Sequence, residues 1–131
     1  MGTRLAQNSQ ASFVSVHETW ILTDDSGVDP GRANNEASML RRWLSERKIF
    51  SVQYDGRELI PKFQIRNGAP ETILERVIKV FPNEGSDWSI AQFLTSPNGY
   101  LAGARPMDLL QNDPDRIVSL ARAFQSAADA F

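Results

Sequence analysis

A mainly helical α+β fold is predicted for this chain, with a helix plus β-hairpin followed by a compact cluster of short helices. Three observations carry that prediction. Apolar residues return at helical spacing in four separate stretches, one stretch between them alternates with period two around Asp55-Gly56, and prolines at 70, 82, 97, 106 and 114 cut the C-terminal half into short pieces. With 131 residues, 41% of them hydrophobic and 23% charged, the chain is sized for one compact domain with a real core.

Residues 1–12 are polar and aperiodic and read as a tail. In "SFVSVHETWIL" the apolar positions Phe13, Val14, Val16, Trp20 and Ile21 fit neither a strand nor a short helix consistently, so both remain open. Thr23 to Asn35 is a run of turn formers and acids and reads as a linker. Asn35 then suits an N-cap, with Glu36 in the first turn, and Ala37, Leu40, Trp43 and Leu44 form one stripe that leaves Arg41, Arg42 and Glu46 pointing elsewhere. Phe50, Val52 and Tyr54 switch to period two and meet Asp55-Gly56, the preferred two-residue type I′ turn. That register sets Tyr54 opposite Arg57, Gln53 opposite Glu58 and Val52 opposite Leu59. Pro61 lacks an N–H, so the return strand is either an edge or ends there.

Pro70 suits a first helical position, with Ile73, Leu74, Val77, Ile78 and Phe81 on one face until Pro82 stops the helix. Ser86 suits the next N-cap, before Trp88, Ile90, Ala91, Phe93 and Leu94, and Ser96-Pro97 ends that helix. Asn98 caps a turn that Gly103 closes, Pro106 opens another, and Asp113 before Pro114 caps the last helix. Its inner face is Ile117, Val118, Leu120, Ala121, Phe124 and Ala128. The chain therefore divides into a head and linker over 1–33, a helix-plus-hairpin over 34–67 and a helical segment over 68–131.

Several chemistries find no support. The chain has no cysteine and one histidine, His17, whose "HETWI" context fails the paired-histidine spacing of zinc proteases. "DDSGVD" lacks the ligand order of a calcium loop, and no phosphate-cradling glycine loop or nucleophile elbow occurs. Asp108, Asp113 and Asp115 sit where helix starts favour negative charge, which accounts for them without an acid/base pair. The expectation is a protein that is not an enzyme and uses no metal or cofactor. Absence of cysteine and of an apolar leader or span points to the cytoplasm and away from membranes.

Net charge is −2, yet Arg41 to Arg66 holds seven basic residues against three acidic ones. Arg41, Arg42, Arg47, Lys48 and Arg57 are accordingly the candidate DNA contacts, with a solvated basic face as the alternative.

"DWSIAQFLTSPNGYLAGARPMDLLQNDPDRIVSLARAF" resembles the C-terminal toxin-binding domain of the Xre/MbcA/ParS antitoxin family. The residues that carry the resemblance are Trp88, Ser96, Pro97, Asn98, Tyr100, Leu101, Gly103, Arg105, Pro106, Asp108, Leu109 and Leu110. Upstream, Pro61, Phe63 and Gln64 match a "P-x-F-Q" run that ends a hairpin in many members. The resemblance implies a type II antitoxin that binds and neutralises a RES-domain toxin acting on NAD, as a homo-oligomer or a hetero-oligomer with that toxin. It assigns toxin contact to Trp88, Pro97, Asn98, Tyr100, Leu101, Gly103, Arg105, Pro106, Asp108 and Leu110. Such antitoxins commonly carry an N-terminal helix-turn-helix and repress their own operon. No clear helix-turn-helix pair precedes Asn35 here, so operator binding rests on the basic segment alone, and a small DNA-binding regulator is the alternative function.

Overall fold

The computed structural model describes residues 10–22, 33–83 and 87–129, and it shows the mainly helical α+β architecture. The ambiguous head resolves into both alternatives in turn. Residues 10–16 form a helix, α1, and Thr19–Leu22 form strand β1. Phe13 is buried, so the polar start of the chain carries one anchoring side chain into the core.

Helix α2 spans Ala33–Ser45, so it starts before Asn35, which lies in its first turn and not at its cap. Residues 23–32 of the expected linker, and the side chains of Asn35 and Glu36, lie outside the described residues. Ala37, Leu40, Trp43 and Leu44 are half-buried while Arg41, Arg42 and Glu46 are exposed, as the stripe requires. Strands β2 (Val52–Tyr54) and β3 (Arg57–Pro61) pair in the register read from the turn: Val52 with Leu59, Gln53 with Glu58, Tyr54 with Arg57. Asp55 and Gly56 both have positive φ, 53° and 71°, which a type I′ turn demands of its two central residues.

The sheet order is β1-β3-β2, so β3 is central and Pro61 marks its end, not an edge. Its missing N–H is replaced from outside the strand. Extending the β2–β3 register brings Pro61 opposite Phe50. There the Gln64 side chain accepts from Phe50 N–H at 2.7 Å and donates from Nε2 to Phe50 O at 2.9 Å and Pro61 O at 3.0 Å. A fully buried amide thus completes the ladder that proline cannot, and every one of these buried groups is satisfied. The Pro61–Phe63–Gln64 run has a backbone-repair function.

A second, two-stranded hairpin follows: β4 (Ile65–Arg66) with β5 (Ala69–Pro70), turned by Asn67 (φ 53°) and Gly68 (φ 80°). Pro70 therefore belongs to a strand, not to the first turn of a helix; helix α3 is Thr72–Ile78 with Glu71 at its N-cap. The Asn67-Gly68 dipeptide outcompetes the helix-opening preference of proline. Helix α4 is Trp88–Thr95 with Asp87 at the N-cap, in place of Ser86, which lies outside the described residues. Helix α5 is Pro114–Asp129.

One apolar cluster joins these parts, from Phe13, Phe50, Val52 and Leu59 through Leu74, Val77, Ile78 and Phe81 to Ile90, Leu94, Ile117 and Ala121. It runs without a break across residues 67 and 68. Phe81, Phe93 and Phe124 pack as a trio with ring centroids 5.5–6.2 Å apart, fastening α4 and α5 to the end of α3. No helix among the described residues is long and apolar enough to cross a membrane.

Candidate functional site

Between α4 and α5 the chain turns twice, through 3₁₀ turns at Gly99–Leu101 and Pro106–Leu109. Ser96 leaves α4 in extended conformation and Pro97 prevents return. Asn98 then organises the corner. Its Oδ1 accepts from Tyr100 N–H at 2.9 Å, its carbonyl accepts from Leu101 and Gly103, each at 2.9 Å, and its own N–H donates to Ala104 O at 3.0 Å. Ala102 and Gly103 take left-handed conformations, φ 56° and 87°, which close the turn. The next turn is locked by Arg105, whose Nε and Nη2 donate to the two oxygens of Asp108 at 2.8 and 3.0 Å. That pairing first, against a smaller opposing effect of burial, raises the Arg105 pKa. Arg116, on the first turn of α5, donates to the Tyr100 carbonyl.

These bonds hold the Tyr100 backbone while its side chain stands 75% exposed. Beside it runs a groove of about 440 Å³, lined by Phe93, Pro97, Leu120, Ala123 and Phe124 among others. A second, polar cleft of about 230 Å³ lies across the Pro106 turn, between Phe63, Ile65, Glu71 and Met107, Leu110, Gln111. Glu71 is held there by Arg66 at 3.4 Å and Gln111 at 3.2 Å, so its carboxylate is committed to tying the second hairpin to the loop.

The ten residues assigned to toxin contact separate into two groups. Pro97, Gly103, Asp108 and Tyr100 are exposed, and Asn98 and Arg105 are half-buried beside them. Leu101, Pro106 and Leu110 are buried and hold the loop from within, so they are not surface anchors. Trp88 does not line the groove: its indole N–H donates to Gln53 O at 2.8 Å and its ring meets Phe13 and Tyr54 edge-on, tying α1 and the hairpin to α4. Two participants escape a reading by motif. Phe124 looks like any core position of α5. Arg116 carried a signal, because a cation in the first turn of a helix opposes the dipole and so asks for another reason to be there.

The basic segment is divided similarly. Arg47, at φ 55°, turns its guanidinium inward and donates at 2.8 Å both to Ile78 O, which also accepts from Phe81 N–H, and to Phe81 O, just beyond the end of α3. It is therefore not free to meet phosphate. Glu46 lies 3.7 Å from Arg42 and 3.5 Å from Lys48. Arg41 and Arg57 are exposed.

His17 packs tilted against Phe13 with ring centroids 4.7 Å apart and meets Phe63 at 5.5 Å. Burial, and then the positive charge of Arg105, hold its pKa below the ordinary value. No group of three or more metal-ligating side chains occurs among the described residues. No protein-family model matches this chain, and no curated protein or solved structure matches it either.

Proposed function

We propose that this chain is the antitoxin of a type II toxin–antitoxin pair, gripping and neutralising a RES-like toxin that acts on NAD in the cytoplasm. The observation that carries the proposal is the 75% exposure of Tyr100 on a corner whose backbone is pinned by Asn98 and Arg116. A large exposed aromatic on a pinned backbone gives up only its side-chain freedom when a partner covers it, which suits a binding anchor. The adjoining groove, floored by Phe93 and Phe124, supplies apolar area next to that anchor. The resemblance of the Trp88–Leu110 run to antitoxin toxin-binding domains names the partner class. The DNA-regulator reading draws less support, because Arg47 is spent on α3 and Glu46 sits between Arg42 and Lys48.

The experiment is co-expression with the product of the adjacent gene, scored by growth rescue and by affinity of the purified pair. Wild type is expected to bind and to restore growth. Tyr100→Ala should weaken binding about 30-fold, the loss of roughly 2 kcal/mol typical of an aromatic hot spot, at unchanged melting temperature. Absence of binding by the wild type refutes the proposal.

A further inference from the structure

The dipeptide Asn-Gly occurs twice in the chain, at Asn67-Gly68 and at Asn98-Gly99. Asparagine is labile in this context, because a following glycine has no Cβ to hinder its backbone nitrogen as that nitrogen approaches the asparagine side chain. The two copies sit in opposite surroundings. Asn67 and Gly68 form the exposed tip of the β4–β5 hairpin, at φ 53° and 80°, and no hydrogen bond reaches the Asn67 side chain among the described residues. Pro70 has no N–H to give, so the ladder bonds nearest the tip fall to the single pair Arg66–Ala69. So short a two-stranded ladder opens readily at its end. Asn98 is half-buried, with φ −120° and ψ 125°, and is held on three sides. Its Oδ1 accepts from Tyr100 N–H, its carbonyl accepts from Leu101 and Gly103, and its own N–H donates to Ala104 O.

We propose that Asn67 is a site of spontaneous deamidation in the folded protein, and that the hydrogen bonds of the Tyr100 corner withhold the same reaction from Asn98. The Gly68 nitrogen loses its proton to solvent base and bonds to Asn67 Cγ. The Cγ–Nδ2 bond breaks, Nδ2 takes up a proton and leaves as ammonia, and a succinimide ring remains. Water then opens the ring at either carbonyl, giving aspartate or isoaspartate at position 67. One water enters and one ammonia leaves, with no oxidation or reduction.

At either site the chain must first rotate to bring the glycine nitrogen against Cγ. At Asn67 that motion disturbs the Arg66–Ala69 pair alone, whereas at Asn98 it gives up the cap and the bonds that close the corner over buried Leu101. A net hydrogen bond opened before attack slows it by up to about tenfold, so Asn98 should convert at least about tenfold more slowly than Asn67. Isoaspartate inserts an extra backbone carbon into a turn that accepts only two residues, so the Arg66–Ala69 pairing loses its register. The new carboxylate also stands next to Arg66 and competes for the guanidinium that Glu71 holds at 3.4 Å in the wall of the polar cleft. The hairpin end therefore loosens with age while the corner keeps its cap.

The test holds the full chain, folded, in mildly alkaline buffer for days, then digests it with trypsin and reads each asparagine by fragment mass spectrometry against a sample taken at the start. Cleavage after Arg66 and Arg76 isolates residues 67–76, and isoaspartyl methyltransferase labelling reports isoaspartate independently. Position 67 is expected to gain the acid mass and the label, faster at higher pH, while position 98 stays an amide. In concentrated urea the two sites should convert at similar rates, because only the fold separates them. Amide exchange on the converted protein should show Arg66 and Ala69 losing protection at least about tenfold, the effect of a frayed hairpin end. The proposal is overturned if Asn67 keeps its amide in the folded chain while the urea-unfolded chain converts. It is equally overturned if Asn98 converts as fast as Asn67 in the folded chain, if neither converts in urea, or if Arg66 and Ala69 stay fully protected after conversion.

Discussion

Replacing Gln64 tests the reasoning about the sheet most directly, because its amide is fully buried and all three of its hydrogen bonds go to backbone. Gln64→Ala strands the Phe50 N–H, the Phe50 carbonyl and the Pro61 carbonyl. An unsatisfied buried group costs about 1–3 kcal/mol, and the space vacated by the amide admits some rehydration, so a loss of about 3–5 kcal/mol is expected. For a domain of this size that corresponds to a fall of roughly 10–20 °C in melting temperature. Gln64→Met separates the bonds from the volume, since it fills the site without a donor or a strong acceptor. It should cost nearly as much as alanine. Gln64→Glu adds a sign. An ionised carboxylate there faces the Phe50 and Pro61 carbonyls, whereas the protonated form still has one O–H to donate, so the folded-state pKa is raised. Stability of that variant should be fullest below the ordinary carboxyl value of about 4.3 and be lost as pH rises through the raised pKa. Urea unfolding from pH 4 to 8 reads both effects. A Gln64→Met protein within about 0.5 kcal/mol of wild type, the ordinary scatter of neutral substitutions, would refute the ladder-repair reasoning.

Further outcomes follow from neighbouring contacts. Arg47→Met gives up two charge-assisted bonds to Ile78 O and Phe81 O and should lose about 1.5–3 kcal/mol in chemical unfolding. Ala102 holds a left-handed conformation at φ 56° and has no glycine freedom, so Ala102→Gly should raise stability by about 0.5 kcal/mol. Gly103, at φ 87°, should behave oppositely: Gly103→Ala meets open space but an unfavourable backbone conformation, and should cost about 1–2 kcal/mol, both variants being compared with wild type by calorimetry. His17 has a folded-state pKa below its unfolded value of about 6.5, so stability is present above that value and declines as pH falls through the folded pKa. His17→Phe keeps a ring between Phe13 and Phe63 and should flatten that acid-side decline, as followed by thermal unfolding between pH 5 and 7.5.

Much of the corner was legible in the residues themselves. Asn98 as cap, Pro97 as breaker and Pro106 as opener all act within a few positions of one another, so local chemistry determines them; the pairing of Arg105 with Asp108 emerged only in the structure. The hairpin register was legible for the same reason, because a two-residue Asp-Gly turn leaves only one pairing for Val52, Gln53 and Tyr54. The groove beside Tyr100 was not, since its walls come from α4 and α5 and its floor from the contact of Phe93 with Phe124, which meet only once the two helices have packed.

The sequence alone determined the helical stripes, the proline breaks, the Asp55-Gly56 turn and the Asn98 cap, because each is settled by steric and hydrogen-bonding preferences inside one or two turns of chain. Tertiary structure decided the rest. It made a strand of Thr19–Leu22 by offering the open side of β3, assigned Pro70 to a second hairpin, gave Gln64 the place of a missing N–H, and drew Arg47 to carbonyls 31 and 34 residues away. Unsatisfied backbone groups in a low-dielectric interior are costly enough to override local preference, and their positions exist only once the chain has folded.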